Sequence, residues 1–265
     1  MADEILNNSI NTTRDKFMGF ILLSKAKWSK AKFFEDLKDE WNIDLAASNV
    51  ENASEDSIVY ADYNGMRIIM GLIDEPVIGS EAEYFTAANY MWREAGETVA
   101  KHRAHVTLTV MGGGTAKEKA ELFVKAAASA LKQYAVLGFY YNGIATFEPK
   151  MYRDCAQSMR EGLFPLLNTI WFGLHSDGEK KGVYTYGMRQ FGKEELEIYG
   201  PFRTEDLPTI RQLAVGTAAY ILEKDVTVTD GGTIGATEDA QLPVTISPAV
   251  AFSGNSVKIN IAAEK

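Results

Sequence analysis

Three consecutive glycines join a strand-like segment to a helix-like segment, and this joint is the part of the sequence most typical of a ligand site. In Val106–Phe123 (VTLTVMGGGTAKEKAELF), an alternating apolar run leads through Gly112, Gly113 and Gly114 into an amphipathic stretch that starts at Thr115. Helix amino termini present unpaired amides and partial positive charge, so glycines there let an anion approach. A phosphate site is therefore one hypothesis for this joint.

The spacing of the glycines favours a structural role instead. The phosphate-loop pattern needs four residues between its first two glycines, and the dinucleotide pattern needs three spaced glycines, whereas these three are contiguous. Thr115 and Glu118 have the spacing of a capping box, which satisfies helix amides within the chain and places a carboxylate where the anion would bind. We expect a flexible corner, and keep Gly112, Gly113, Gly114 and Thr115 as candidate ligand-binding residues.

Two of the three histidines, His102 and His105, precede this joint in the run KHRAH. Their spacing places them on one side of a helix, but the following HVTLTVM has strand alternation, so the pair straddles an element boundary. Zinc needs a third and usually a fourth ligand, and no cysteine pair or nearby carboxylate cluster supplies one. We predict no metal and no cofactor, and expect both histidines to lie against helix ends. The alternative places them at the rim of a ligand pocket.

Other reactive groups do not converge in the sequence. No serine occupies a Gly-x-Ser-x-Gly elbow. The single cysteine, Cys155, cannot form an internal disulfide and is interpreted as a small buried helix residue. The adjacent carboxylates Glu35-Asp36 and Glu194-Glu195 are interpreted as solvated helical faces. Whether the protein is an enzyme stays open, and the residues favour the view that it is not.

The aromatic run FYYNGIATF contains two consecutive tyrosines, Tyr140 and Tyr141. In a strand, neighbouring side chains point to opposite faces, so one ring should lie in the core and the other should be exposed or covered by a partner. An exposed tyrosine beside apolar neighbours is typical of an interface anchor. Packing of both rings in the core would explain the same sequence pattern. We keep both tyrosines as candidate interface residues.

The elements that would position these groups alternate between strand and helix. Phe17–Ser24 predicts a central strand because it is apolar on both faces, and Trp28–Trp41 has the three-to-four spacing of an amphipathic helix. Asn64-Gly65 predicts a tight hairpin turn. Ser80 followed by Glu83 predicts a capped helix, and the strand that contains Val106 completes the order βαββαβ.

The same order recurs after the helix that begins near Thr115, with a second hairpin at Asp177-Gly178 and extra strands in the tail. We therefore predict an α+β fold of two tandem ferredoxin-like (βαββαβ) units, with antiparallel sheets covered by helices. The predicted units are 1–114 and 135–265, joined by a connecting helix at 115–134. The polar stretch Ala46–Asp56 is expected to be a loop.

Composition limits the classes of partner. The chain has 265 residues, 46% hydrophobic content and a net charge of −9, which indicates a globular protein and disfavours a nucleic-acid partner. The amino terminus lacks a secretory pattern, and no apolar run approaches the roughly 20 residues that span a bilayer. We therefore predict a cytoplasmic protein without a membrane partner.

The final third of the chain has a recognisable pattern. The run GVYTYGMRQFGKEELEIYG, followed by DGGTIGATEDAQLPVTISPAV and a last strand, resembles the bacterial family catalogued as domain of unknown function 4261. The resemblance covers Gly182 to Ile261, and KHRAHVTLTVM is similar to the region that often precedes it. It implies a family but no reaction and no catalytic residue. The matching features are Gly187, Phe191-Gly192, Glu195, Glu197, Thr233-Ile234-Gly235 and Ser247-Pro248.

Three functional hypotheses follow. The leading one is a non-enzymatic, cytoplasmic protein-binding protein, such as an immunity or adaptor protein for a secreted bacterial toxin, because an acidic surface complements a basic toxin. The alternative is a small-molecule or phosphate-ligand binding enzyme or sensor, with a pocket between the two units near His102, His105 and the glycine joint. The third is a homodimer made by pairing free sheet edges.

Overall fold

The chain contains two units that are each built on one sheet. The computed structural model describes residues 16–45, 58–87, 89–235 and 241–261. Within them, the compact units are 16–169, the N-terminal unit, and 170–261, the C-terminal unit. Both combine a sheet with helices, so the predicted α+β class is confirmed. The loop predicted at Ala46–Asp56 lies outside the described residues.

The described part of the N-terminal unit contains an antiparallel sheet of six strands. They are β1 (Lys16–Leu23), β2 (Ile58–Tyr63), β3 (Met66–Ile73), β4 (Ala104–Gly112), β5 (Val136–Tyr141) and β6 (Ala145–Phe147). Their order is β2-β3-β4-β1-β5-β6. Ile21, Leu22 and Leu23 of β1 are fully buried. The prediction of a central strand that is apolar on both faces is thus confirmed.

The two longest helices of this unit lie on one face of the sheet. The helices described in this unit are α1 (Lys30–Trp41), α2 (Glu81–Tyr84), α3 (Ala95–Val99), α4 (Ala116–Ala130), α5 (Pro149–Ala156) and α6 (Leu166–Thr169). α4 packs on β1 and β4 and lies beside α1. The Phe123 ring of α4 is 5.9 Å from the Phe139 ring of β5. Gly19 makes this packing possible, because a Cβ there would lie 2.7 Å from the Phe139 ring.

Residues 77–99 cover the other face, although not as the predicted helix. The prediction of a capping box at Ser80 is wrong, because this residue has a left-handed backbone (φ 54°) and its side chain makes no capping bond. The α-helix that follows ends at Tyr84. Asn89 then accepts hydrogen bonds from the N–H groups of Met91 and Trp92. Such side-chain to backbone bonds compete with helix formation.

The strand pairing does not confirm a tandem ferredoxin-like topology. β5 pairs with β1, and α4 packs on β1 and β4, so the helix predicted as a connector belongs to the N-terminal unit. The boundary between the units therefore lies after Thr169 instead of at residues 114 and 134. The order of elements along the chain could not reveal which strand is inserted beside β1.

The C-terminal unit has a mixed sheet. Its described strands are β7 (Trp171–Asp177), β8 (Lys180–Tyr186), β9 (Leu196–Gly200), β10 (Thr233–Ile234), β11 (Leu242–Pro248) and β12 (Asn255–Ile259). Their order is β10-β11-β12-β9-β8-β7, with β12 parallel to β9. Helix α7 (Leu207–Glu223) packs on β7, β8 and β9. The tail strands extend this sheet, as predicted.

Both predicted hairpin turns form. Asn64 and Gly65 join β2 to β3 with φ angles of 49° and 77°, the positive values that a tight hairpin requires. Gly178, with φ 58°, lies in the turn between β7 and β8. These turns depend on local backbone preferences, which is why the sequence predicts them well.

Candidate functional site

Backbone amides at the glycine joint are hydrogen-bonded to other residues of the same chain. Gly113 donates its N–H to the carbonyl of Gly65 in the β2–β3 turn, at 3.0 Å. The predicted capping box is present: Thr115 N–H donates to Glu118 Oε2 at 2.7 Å, and Glu118 N–H donates to Thr115 Oγ1 at 3.2 Å. The Glu118 carboxylate thus stands where an anion would bind at the start of α4.

A small cavity of about 190 Å³ lies beside this joint. Of the glycines at the joint, Gly114 lines it, together with Glu118, Glu121 and Lys125. Two carboxylates beside one lysine oppose the approach of a phosphate. The surroundings therefore do not favour the phosphate hypothesis at this position.

His102 and His105 both hold the connection between β3 and β4. The Nδ1 atom of His102 is 2.7 Å from the Val99 carbonyl oxygen, and its Nε2 atom accepts the N–H of Val77 at 3.0 Å. This pair of bonds fits a neutral ring protonated on Nδ1. His105 Nδ1 lies 2.7 Å from the carbonyl oxygen of Glu75. Burial lowers the pKa of His105, which favours its neutral form as well.

Of the two alternatives for the tyrosine pair, core packing is the one that the structure shows, and neither ring is exposed. Tyr140 and Tyr141 are both buried within the N-terminal unit. Tyr141 packs on the helical face, 5.1 Å from the Phe123 ring, whereas Tyr140 stacks 5.4 Å from Phe85 on the other face. The sheet is covered on both faces here, which strand alternation cannot reveal. Neither ring is available as an interface anchor on this surface.

Exposed apolar side chains lie instead on residues 74–94, termed the 74–94 segment. Ile78 is 85% exposed and Tyr84 is 56% exposed, and Tyr90 and Met91 are also exposed. The segment contains five carboxylates and one basic residue. Exposed large apolar side chains that gather on one segment mark it as a candidate surface for protein binding. The sequence predicts a capped helix from Ser80 but does not indicate which of its side chains are exposed, so this surface was not predicted.

The buried underside of the 74–94 segment fixes it to the sheet. Val77, Ala82 and Trp92 pack in one cluster with Leu22 and Tyr140. Polar contacts add to this packing. They are Asn89 Nδ2 to the Thr146 carbonyl at 2.7 Å, Thr146 Oγ1 to the Ala82 carbonyl at 2.8 Å, and Tyr140 OH to Glu81 Oε2 at 3.1 Å.

A second set of polar groups, in the C-terminal unit, is buried. Glu195 is 1% exposed, so its interpretation as part of a solvated face is wrong. The same interpretation is wrong for Asp36 in α1 of the N-terminal unit, which is buried between Lys32 and Lys132. The Glu195 carboxylate accepts the Thr185 hydroxyl at 2.8 Å and the N–H groups of Gly187, Met188 and Arg189 at 2.8, 3.1 and 3.2 Å. Burial raises the pKa of Glu195, and these hydrogen bonds oppose that rise.

Glu197 anchors the loop between β11 and β12 in the same way. Its carboxylate accepts the N–H groups of Val250 and Ala251, at 3.1 and 2.9 Å, and the Ser256 hydroxyl at 2.9 Å. It also forms an ion pair with Lys258, whose pKa is lowered by burial. The alternation of KEELEIYG, with Leu196 and Ile198 on the opposite face, was the sequence signal for a strand with buried carboxylates.

The two glutamates lie in the part of the chain that resembles a known family. Residues 184–260 match the family described as Domain of unknown function (DUF4261). The DUF4261 region begins within β8 and ends directly after β12, so it contains both buried glutamates. The resemblance inferred from the sequence is confirmed for these residues, and the match does not include KHRAHVTLTVM. The chain matches no curated protein and no solved structure.

Two of the residues that carry the resemblance, Gly187 and Glu195, are in contact within the DUF4261 region. Gly187 has φ 126°, a conformation that favours glycine, and donates its N–H to Glu195. Arg189 donates to the carbonyl of Asn255 at 2.8 Å, and its guanidinium lies 5.7 Å from the centre of the Phe252 ring. Arg189 thus links the turn after β8 to the loop before β12 and to the first residue of β12.

The described residues contain neither a cluster of metal-ligating side chains nor a helix that could span a membrane. No set of three or more histidine, cysteine, aspartate or glutamate residues there could hold a metal ion. Among the helices that the structure describes, none combines the length and apolar character needed to cross a membrane. Cys155 is half-buried at the end of α5, not fully buried as the sequence suggested.

Proposed function

We propose that this protein is a binding protein that recognises a basic protein partner through the 74–94 segment. The observation that carries the proposal is the exposure of Ile78, Tyr84, Tyr90 and Met91 on a segment that is otherwise fixed to the core. Tyrosine and methionine are enriched in the cores of protein interfaces. The surface differs from the predicted Tyr140 and Tyr141, but the class of function is the one that the sequence favours.

The attachment of the segment supports tight binding. The Val77 N–H donates to His102, the Asn89 side chain donates to the Thr146 carbonyl of β6, and Trp92 packs beneath the segment. A surface that is already ordered loses little conformational entropy when a partner binds. The segment is therefore suited to present its exposed side chains in one arrangement.

Charge supports a basic partner. Asp74, Glu75 and Glu94 are exposed on the segment, and the whole chain carries a net charge of −9. Opposite charge on the partner would raise the association rate and disfavour acidic competitors. An immunity or adaptor protein for a secreted toxin is the specific role that we propose, because toxins that cleave nucleic acids carry basic surfaces for their substrates.

The proposal is tested by affinity purification from the native host at low and high salt, followed by mass spectrometry. The bait proteins are the unaltered chain, the double variant Ile78→Ser/Tyr84→Ser, and the control Leu163→Ser, which changes an exposed apolar residue outside the segment. We expect a stoichiometric basic protein that is lost at high salt and with the double variant, but retained by the control. Absence of any such protein at low salt, or equal capture by all three baits, contradicts the proposal.

A further inference from the structure

A larger pocket lies where the loop after β1 meets the loop before β5. Its volume is about 500 Å³, which is within the usual range for small-molecule sites. The side chains that give it chemical character are Lys27, Trp28, Lys32, Lys132, Gln133 and Tyr134. It lies wholly within the N-terminal unit and shares no residue with the 74–94 segment.

Hydrogen bonds between the two loops hold the walls of this pocket together. Ser29 N–H donates to Gln133 Oε1 at 2.7 Å, and Gln133 Nε2 donates back to the Ser29 carbonyl at 2.9 Å. Ser24 N–H donates to the Ala135 carbonyl at 2.8 Å. The start of α1 is closed by its own cap, because Ser29 Oγ accepts the N–H of Lys32. The pocket is therefore formed by side chains of two loops and does not depend on unpaired amides at the start of α1.

The stretch of chain that leads from β1 into α1 is basic although the protein is acidic. Lys25, Lys27, Lys30 and Lys32 follow one another without a carboxylate between residues 16 and 34. Lys32 and Lys132 share the Asp36 carboxylate, at 2.6 and 3.0 Å. Each has a second, more distant carboxylate: Glu35 lies 3.8 Å from Lys32, and Glu40 lies 3.5 Å from Lys132.

Three of these lysines have no ion pair with a carboxylate among the residues that the structure describes, and of the three only Lys27 lines the pocket. Neither Lys25 nor Lys27 forms an ion pair with any residue that the structure describes, and the Lys25 ammonium lies 5.8 Å from the ring centre of Tyr134. A local excess of positive charge attracts anions even when the net charge of the protein is negative.

Aromatic rings stand beside these lysines. Tyr134 is 94% exposed, although the loop that carries it is joined to β1 by the bond between Ser24 and Ala135. Trp28 is half-buried and lies 5.8 Å from Phe33, ring centre to ring centre. An exposed ring on an ordered loop offers a face on which a planar group can stack.

We propose that this pocket binds a small anion that carries a planar ring, of the chemical class of mononucleotides. The ring would lie against Tyr134 or Trp28, and the phosphate would lie near Lys27, because Lys32 and Lys132 are already paired with carboxylates. Stacking and charge pairing are the two interactions by which proteins hold a base with its phosphate. A free mononucleotide fits better than a nucleic-acid strand, because the acidic remainder of the chain repels a long polyanion.

The test is isothermal titration calorimetry with AMP, GMP, CMP and UMP, and with adenosine, inorganic phosphate and a single-stranded oligonucleotide as comparison ligands. The variants are Lys27→Ala and Tyr134→Ala, whose side chains are exposed, so that neither change removes a buried group. Lys180→Ala, at an exposed lysine of the C-terminal unit, is the matched control. Tyr84→Ala, on the 74–94 segment, tests whether nucleotide binding is independent of the proposed partner surface.

We expect at least one mononucleotide to bind in the micromolar to millimolar range, and either pocket variant to weaken it at least tenfold. Lys180→Ala and Tyr84→Ala should bind as the unaltered chain does, and adenosine and phosphate should each bind more weakly than the nucleotide. The proposal is overturned if no mononucleotide binds at millimolar concentration, or if neither pocket variant weakens binding. Equal binding of inorganic phosphate, or tighter binding of the oligonucleotide, overturns it as well.

Discussion

The Nε2 atom of His102 accepts a hydrogen bond from the backbone N–H of Val77 across 3.0 Å. His102 lies just before β4, whereas Val77 follows β3, so this contact ties the end of the connection between the two strands to its start. The exposed apolar groups of the 74–94 segment therefore depend on a histidine that is itself 1% exposed.

Replacing His102 by alanine should destabilise the protein. The change leaves the Val77 N–H without its acceptor and removes buried ring volume, for which we expect a loss of about 2–4 kcal/mol in the free energy of unfolding. Urea denaturation measures it. His175→Ala, at a half-buried histidine in β7, is the control and should cost less than about 1 kcal/mol. Equal losses would contradict the structural role of His102.

Stability should fall in mild acid because of His105. Burial lowers the pKa of this histidine in the folded state, so the neutral ring contributes stability that is complete above the unfolded pKa of about 6.5. That contribution is lost as the pH falls through the lower, folded-state pKa. Urea denaturation between pH 8 and pH 5 should show a steeper loss for the unaltered chain than for His105→Gln. Parallel curves would mean that His105 does not titrate differently on folding.

Glu195 and its neighbour Glu194 should respond very differently to substitution by alanine. Glu195→Ala removes the acceptor for four hydrogen bonds, and we expect a loss of about 3 kcal/mol or more. Glu194 is exposed and forms a 3.7 Å ion pair with Arg189, so Glu194→Ala should cost about 0.5 kcal/mol or less. Hydrogen exchange of the peptide 185–192 should accelerate in the first variant alone. Acceleration in both would show that burial is not the cause.

Two glycines in the C-terminal unit should give opposite effects when changed to alanine. At Gly182 a Cβ would lie 2.2 Å from the carbonyl oxygen of Ile198, so Gly182→Ala must displace β8 from β9, at a cost of about 3 kcal/mol or more. At Gly216, in α7, nothing lies within 4 Å of the added atom, and alanine should stabilise by about 0.5–1 kcal/mol. The two melting temperatures should move in opposite directions from that of the unaltered chain.

The cap of α4 is expected to make a smaller, local contribution. Thr115→Ala removes the oxygen that accepts the Glu118 N–H, which should cost about 1 kcal/mol in the free energy of unfolding. Thr115→Ser keeps this oxygen and should stay close to the unaltered chain. If serine and alanine are equally destabilising, the threonine methyl group and not the cap stabilises the joint.

Local features were well predicted because they depend on neighbouring residues. Asn64 and Gly65 adopt positive φ angles, which asparagine and glycine tolerate better than other residues, and Thr115 and Glu118 form the cap that their spacing predicts. The DUF4261 region was likewise recognisable from its amino-acid sequence. The discontinuous helix after Ser80 was not, because Asn89 forms bonds that depend on the distant Thr146.

The sequence by itself determined the α+β class, the two hairpins, the double-sided burial of β1 and the acidic character of the chain. Only the tertiary structure decided that Tyr140 is covered, that Glu195 is buried, and that lysines from two separated loops meet beside Tyr134. The physical reason is that turns and caps are governed by interactions over three or four residues, whereas the exposure of a side chain depends on which distant segment packs against it.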